Sequence, residues 1–127
     1  ADLRAALAAH PEDNELAGND GWDHYQRGQY LSALGDTDEA LRSIRRAVEV
    51  DRAALAGDEQ DHRRALNVVV YHLALGEDEA AESALTAALA ARPPRAQIRE
   101  AVDDLTRLGA NPQARRFVEI LRAHRDG

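Results

Sequence analysis

The residues best suited to bind a metal or move a proton are five histidines, His10, His24, His62, His72 and His124. No two of them are four apart, the spacing that sets a pair of ligands on one helix face, so the pattern predicts no zinc site. Asp58, Glu59, Asp61 and His62 cluster, but at a predicted helix start, where carboxylates complement the helix dipole. Asp103 and Asp104 are neighbours on a predicted helix and point to different faces, which defeats a carboxylate dyad. Ser32, Ser43 and Ser83 fall inside predicted helices, away from any strand-to-helix elbow that would sharpen a nucleophile. His72, beside Tyr71, reads as a core or pocket-edge histidine. With no cysteine in the chain, disulfides, thiolate nucleophiles and cysteine metal sites fall together. The expectation is a protein with no catalytic residues, no bound metal and no cofactor.

Arginine pairs at 45–46, 63–64 and 115–116 raise nucleic acid as a partner. Their surroundings oppose it. Arg45 with Glu49, Glu59 with Arg63, Arg99 with Asp103, Asp103 with Arg107 and Arg115 with Glu119 are all four apart, so each pair can neutralise along a helix face for about 0.2–0.5 kcal/mol. A net charge of −7 further disfavours phosphate binding. All sixteen basic residues are arginine, which we read first as a GC-rich, actinobacterial type of coding bias; a halophile is the competing source, although a pI of 5.1 is mild for one.

These side chains hang on a repeat. Leu34-Gly35, Leu75-Gly76 and Leu108-Gly109 are each followed five residues past the glycine by Ala40, Ala81 and Ala114. Gly35 to Gly76 is 41 positions, and Ala6 to Pro11 stands 82 positions before the similar Ala88 to Pro93. The last step, Gly76 to Gly109, is 33. Such a period marks units that cannot bury their own apolar face and must stack. Alanine and leucine dominate and aromatics make up 4%, a composition for closely packed helices rather than a sheet.

Seven helical segments follow: Asp2 to Ala9, Gly21 to Leu34, Thr37 to about Leu55, Asp58 to Leu75, Asp78 to Ala91, Pro94 to Leu108, and Pro112 to about His124. Pro11 to Asp20 is a polar break. Asn111-Pro112 is a cap followed by proline at the first helical position, where its missing amide costs nothing. Asp36 with Glu39 has capping-box spacing, Asp58 caps the segment that follows it, and Gly35, Gly76 and Gly109 can each close a helix in the left-handed conformation. Ile98, Ala101, Val102, Leu105 and Leu108 form an apolar stripe. Leu66, Val68, Val69, Val70, Tyr71, Leu73 and Leu75 circle their whole helix, which should therefore be the central, most buried element.

Gly28, Tyr30, Leu31 and Gly35, then Asp38-Glu39-Ala40, Ile44 and Ala47, resemble one unit of the tetratricopeptide repeat family, two antiparallel helices with a glycine at the turn and small residues where they touch. Leu75-Gly76, Glu79-Ala80-Ala81, Leu85, Ala88 and Pro93 resemble a second unit, and Ile98, Val102, Leu105, Gly109, Ala114 and Val118 a third. The connection through Ala47-Val48-Glu49-Val50-Asp51 to Arg64-Ala65-Leu66-Asn67 resembles the longer-repeat branch of kinesin light chains and many actinobacterial regulators. Departures are His24 and Arg27 where the family prefers apolar residues, Arg52 for the closing proline, and Leu121 for a small residue. The resemblance, over roughly residues 22 to 125, implies an all-α, right-handed superhelical stack. Its expected division is a partial or capping unit and loop at 1–20 and repeats at 21–56, 57–93 and 94–127. Residues 1–11 look like the end of a preceding unit, and with no methionine in the chain its start reads either as a fragment of a longer array or as a processed N-terminus.

The family's first helices line a concave surface that binds extended peptides or a helix. Carried over, the groove comprises Trp22, Tyr25, Gln29 and Ser32, then Arg63, Leu66, Val70 and Leu73, then Arg99, Asp103 and Thr106. Trp22 and Tyr25 are equally readable as packing on the first segment, and a register error of one residue would rotate the stripe. The lysines and asparagines of the family's clamp for peptide carboxylates are missing from these positions. The function expected is a bacterial, non-catalytic protein-interaction scaffold. The alternative is a regulatory, sensing or self-assembling domain, a homodimer included, of a larger actinobacterial-type regulator. No apolar run approaches the ~18 residues of a spanning helix and the first residues are not a secretory signal, so the expected compartment is the cytoplasm, away from the membrane.

Overall fold

The computed structural model describes residues 21–126, and among them the protein is all-helical. Six helices run in order: α1 Gly21–Ala33, α2 Thr37–Gly57, α3 His62–Ala74, α4 Asp78–Ala90, α5 Arg95–Thr106 and α6 Pro112–Asp126. They correspond to the second through seventh predicted segments. The first segment, Asp2 to Ala9, the break that follows it and the capping unit at 1–20 lie outside the described residues.

Neighbours in sequence pack as pairs, α1 on α2, α3 on α4 and α5 on α6, and α3 also touches α1, α2 and α5. This is a stack of helix pairs of the tetratricopeptide type. Glycine makes the turns: Gly35, Gly76 and Gly109 have φ of 83°, 75° and 70°, values an L side chain adopts only under strain. At the first turn Asp36 N donates to Leu31 O (2.9 Å) and Gly35 N to Ser32 O (3.0 Å), and Glu77 and Gly76 repeat the pattern on His72 and Leu73. Both are Schellman closures. Within the first pair, Gly28 lets the backbones approach: a Cβ there would stand 2.5 Å from Ile44 Cγ1.

Helix α3 is the central element. Every residue from Leu66 through Leu73 is buried, Asn67 and His72 included. His72 accepts from Arg52 at Nε2 (2.9 Å) and donates from Nδ1 to Glu77 (2.9 Å), which fixes its neutral tautomer and ties the end of α2 to the start of α4. The Glu77 carboxylate is held below its ordinary range by that histidine, with Arg45 adding to it.

Two caps differ from expectation. Asp61, not Asp58, caps α3, accepting from Arg64 N (3.2 Å), because α2 runs on to Gly57 and Asp58 closes it. Asp36 precedes α2 without a side-chain capping bond, and Glu39 pairs with Arg42. Asn111 caps α6 as expected, accepting from Gln113 N (2.9 Å) and Ala114 N (3.1 Å). The five predicted charge pairs four apart are not among the ion pairs of the described residues. Arg45 and Arg63 reach across to Glu77 and Glu100 instead, and Arg116 reaches Glu82.

Ala81 is fully buried in the core of the second pair. Ala81→Leu should destabilise by roughly 1–3 kcal/mol through overpacking, read as a lowered melting temperature; an unchanged value would contradict the pairing.

Candidate functional site

The first helices of the three pairs, α1, α3 and α5, face a cavity of about 790 Å³. Trp22 supplies the α1 wall. From α3 come His62, Arg63, Arg64 and Asn67, and from α5 and the residue that caps its end come Gln97, Glu100, Asp104 and Arg107. The α5 residues fall at i, i+3, i+7 and i+10, one stripe of a helix.

Behind Trp22 lies an aromatic cluster. Its ring centroid is 5.0 Å from Tyr25, which is 5.3 Å from Tyr71. Tyr71 donates its hydroxyl to Asp51 (2.8 Å), and Gly21 N, at the start of α1, donates to the other oxygen of the same carboxylate (3.1 Å). Asp51 is 0% exposed. One buried carboxylate on α2 thus anchors both α1 and α3, the two helices that place Trp22 against the α3 wall. Gly21 is required there: a Cβ would lie 2.5 Å from the Asp51 carboxylate.

The cavity lining is dense in paired charge. Arg63 Nε meets Glu100 (3.2 Å) across the gap between α3 and α5. Arg64 Nε meets Asp61 (3.2 Å) and its Nη1 stands 3.9 Å from Asp51. Arg107 meets Asp104 (3.0 Å), the Arg107 side chain being 75% exposed and that of Asp104 9%. Burial pushes the Asp104 carboxyl up to about 6, with the charges of Glu100 and Asp103 acting the same way and those of Arg107 and Arg63 against it. Tyr25 is raised to about 12, by burial first and by the Asp104 charge second, against a hydrogen bond from Gln29 (2.9 Å).

The raised Asp104 carboxyl makes stability depend on pH. The native chain holds this proton more tightly than the unfolded chain, whose ordinary value is 3.8. The contribution is therefore complete below about 4 and lost as pH rises through about 6. Asp104→Asn should flatten the stability curve between pH 4 and 6. At pH 7 it should stabilise by about 1 kcal/mol, a figure reduced for screening because the carboxylate faces an open cavity. Urea denaturation at pH 4.5 and 7 checks both.

Of the expected groove residues, Trp22 and Arg63 line the cavity. Tyr25, Leu66 and Val70 are buried core residues, so as placed they offer no side chain to a partner. Gln29, Arg99 and Asp103 are exposed but outside the lining. On α5 the inner stripe is one position further along, at Glu100 and Asp104, and a shift of one residue turns a helix by about 100°. Asp104, Asn67 and Asp51 were missed as interior polar groups, although each left a mark. Asp51 continues the Ala40, Ile44, Ala47 core stripe at the next step of four, and Asp104 stands three past Ala101. A polar residue on an apolar stripe is the legible signal.

Among the described residues, no group of three or more histidines and acids is placed to hold a metal ion, and no helix is long and apolar enough to cross a membrane. The family model described as tetratricopeptide repeat matches residues 24–53, which span most of α1 and α2. No curated protein matches the chain, and no solved structure does. The pairing of α1 on α2, the glycine turn between them and the family match agree: the chain carries a tetratricopeptide repeat, the unit of a family of protein-interaction modules.

Proposed function

We propose that this protein binds a peptide or helix of a partner in the cavity bounded by α1, α3 and α5, and does no chemistry of its own. The observation that carries the reading is the cavity's position, open on the first helices of all three pairs and lined by residues from each. The Arg63 to Glu100 ion pair spans α3 and α5, so part of the surface is arranged before a partner arrives, which reduces the ordering cost of binding. The contact set is Trp22, Arg63, Asn67, Gln97, Glu100, Asp104 and Arg107, with Arg99 and Asp103 at its edge.

A photo-crosslinking residue at Gln97 tests this. In lysate of the source organism it should trap a partner that the same residue at Leu41, exposed on α2, does not. A Trp22→Ala, Glu100→Arg variant, shown to be folded by circular dichroism, should lose the adduct. Equal trapping at both positions, or at neither, would end the groove reading, and an adduct of twice the chain's mass would favour self-assembly.

A further inference from the structure

We infer that the cavity selects a partner segment carrying a lysine or arginine, whose cationic head seats against the Asp104 carboxylate between α3 and α5. This rests on the cavity being the partner site and specifies the chemistry of what enters it.

Three observations converge. The first is where the charges sit. The Asp104 side chain is nine-tenths buried, and that of Arg107, which meets it, is three-quarters exposed. An arginine so open to water compensates a buried anion poorly, in keeping with a carboxyl that remains raised despite its partner. An incoming cation with its stem inside the cavity would be better placed, because it brings the charge into the less polar region. Arg107 would then be free to turn to solvent or to an acid on the partner.

The second is the balance of the remaining charges. Arg63 is held by Glu100, and Arg64 is shared between Asp61 and the buried Asp51. The lining arginines are thus committed to carboxylates of this chain, and Asp103 adds negative charge near Asp104. An anionic ligand would compete with carboxylates of this chain for Arg63 and Arg64, whereas a cationic one displaces only the exposed Arg107 from Asp104, and the net charge of −7 favours its approach.

The third is unmet hydrogen-bonding capacity. Asn67 is 8% exposed and lines the cavity. His62 Nδ1 is buried without a partner on the same wall. Buried polar groups left unpaired cost free energy unless something satisfies them. Asn67 and Gln97 present both donors and acceptors, the complement of peptide groups, which argues for an extended protein segment rather than a free amine.

The test uses the chain's single tryptophan as reporter, since Trp22 lines the cavity. Acetylated, amidated Gly/Ser hexapeptides with a central lysine, arginine, norleucine or glutamate are titrated against the protein, with putrescine as a free-amine control. The lysine and arginine peptides should bind at least about tenfold tighter than the other two, a difference of about 1.4 kcal/mol. Asp104→Asn, a near-isostere, should erase that preference, so that the lysine and arginine peptides bind no tighter than the norleucine peptide. Equal binding of all four peptides, no binding by any, or preference retained in Asp104→Asn overturns the assignment. Putrescine binding as tightly as the lysine peptide overturns the choice of a protein segment. Trapping at Gln97 is independent of this preference, so an intact adduct beside a failed titration would remove the cation while keeping the groove.

Discussion

Asp51→Ala should destabilise this protein by about 3–5 kcal/mol, the range for removing one side of a buried charged interaction. The carboxylate is fully buried and accepts from the Tyr71 hydroxyl at 2.8 Å and from Gly21 N at 3.1 Å, with Arg64 at 3.9 Å. Hydrogen bonds to a charged group contribute about 1.5–3 kcal/mol each. Truncation also leaves the Tyr71 hydroxyl, itself fully buried, without that acceptor. Tyr71→Phe should cost less, because it removes one donor and leaves the carboxylate its other contacts. A double-mutant cycle on urea midpoints should return a coupling of about 0.5–3 kcal/mol, as for residues in one hydrogen-bond network. Additive losses would mean that the two groups act separately. The defect should also reach the cavity, since Asp51 holds α1 and α3 together. Trp22 emission in Asp51→Ala should therefore change under conditions where the far-ultraviolet signal is still native.

The helix pairs were legible because their signals are local. A glycine that must take positive φ is visible at Gly35, Gly76 and Gly109 whatever it packs against, and the Asn111-Pro112 cap is fixed by two adjacent residues. The burial of α3 followed from an apolar surround that no other segment shares. Caps were less legible where two acids competed. Asp58 and Asp61 both stand near the start of α3, and the choice depended on how far α2 continued, which Ala54, Leu55 and Ala56 settle by propensity and packing rather than by any stop signal. The cavity was the least legible part, because a groove is a property of two helices and their relative rotation. Glu100 and Asp104 differ from Arg99 and Asp103 by one position. Only the docking of α5 on α3, with the Arg63 to Glu100 bridge across it, decides which pair turns inward.

Phe117→Ala should be the most damaging change in the third pair, at about 3–5 kcal/mol, and its consequence should be loss of the cavity rather than of the whole fold. The ring is fully buried in α6, which packs chiefly on α5 and only lightly on α4. In a stack of this kind stability is shared between neighbours, so a weakened end unit frays before the middle. Helix α5 would then lose the support that holds Gln97, Glu100, Asp104 and Arg107 along one wall. Hydrogen exchange should quicken in α5 and α6 while α3, anchored by its apolar surround and by Asp51, stays protected. Trapping at Gln97 should fall in step. Uniform acceleration along the chain would show instead that the pairs unfold as one cooperative unit, and that partner binding is coupled to global stability rather than to the last pair alone.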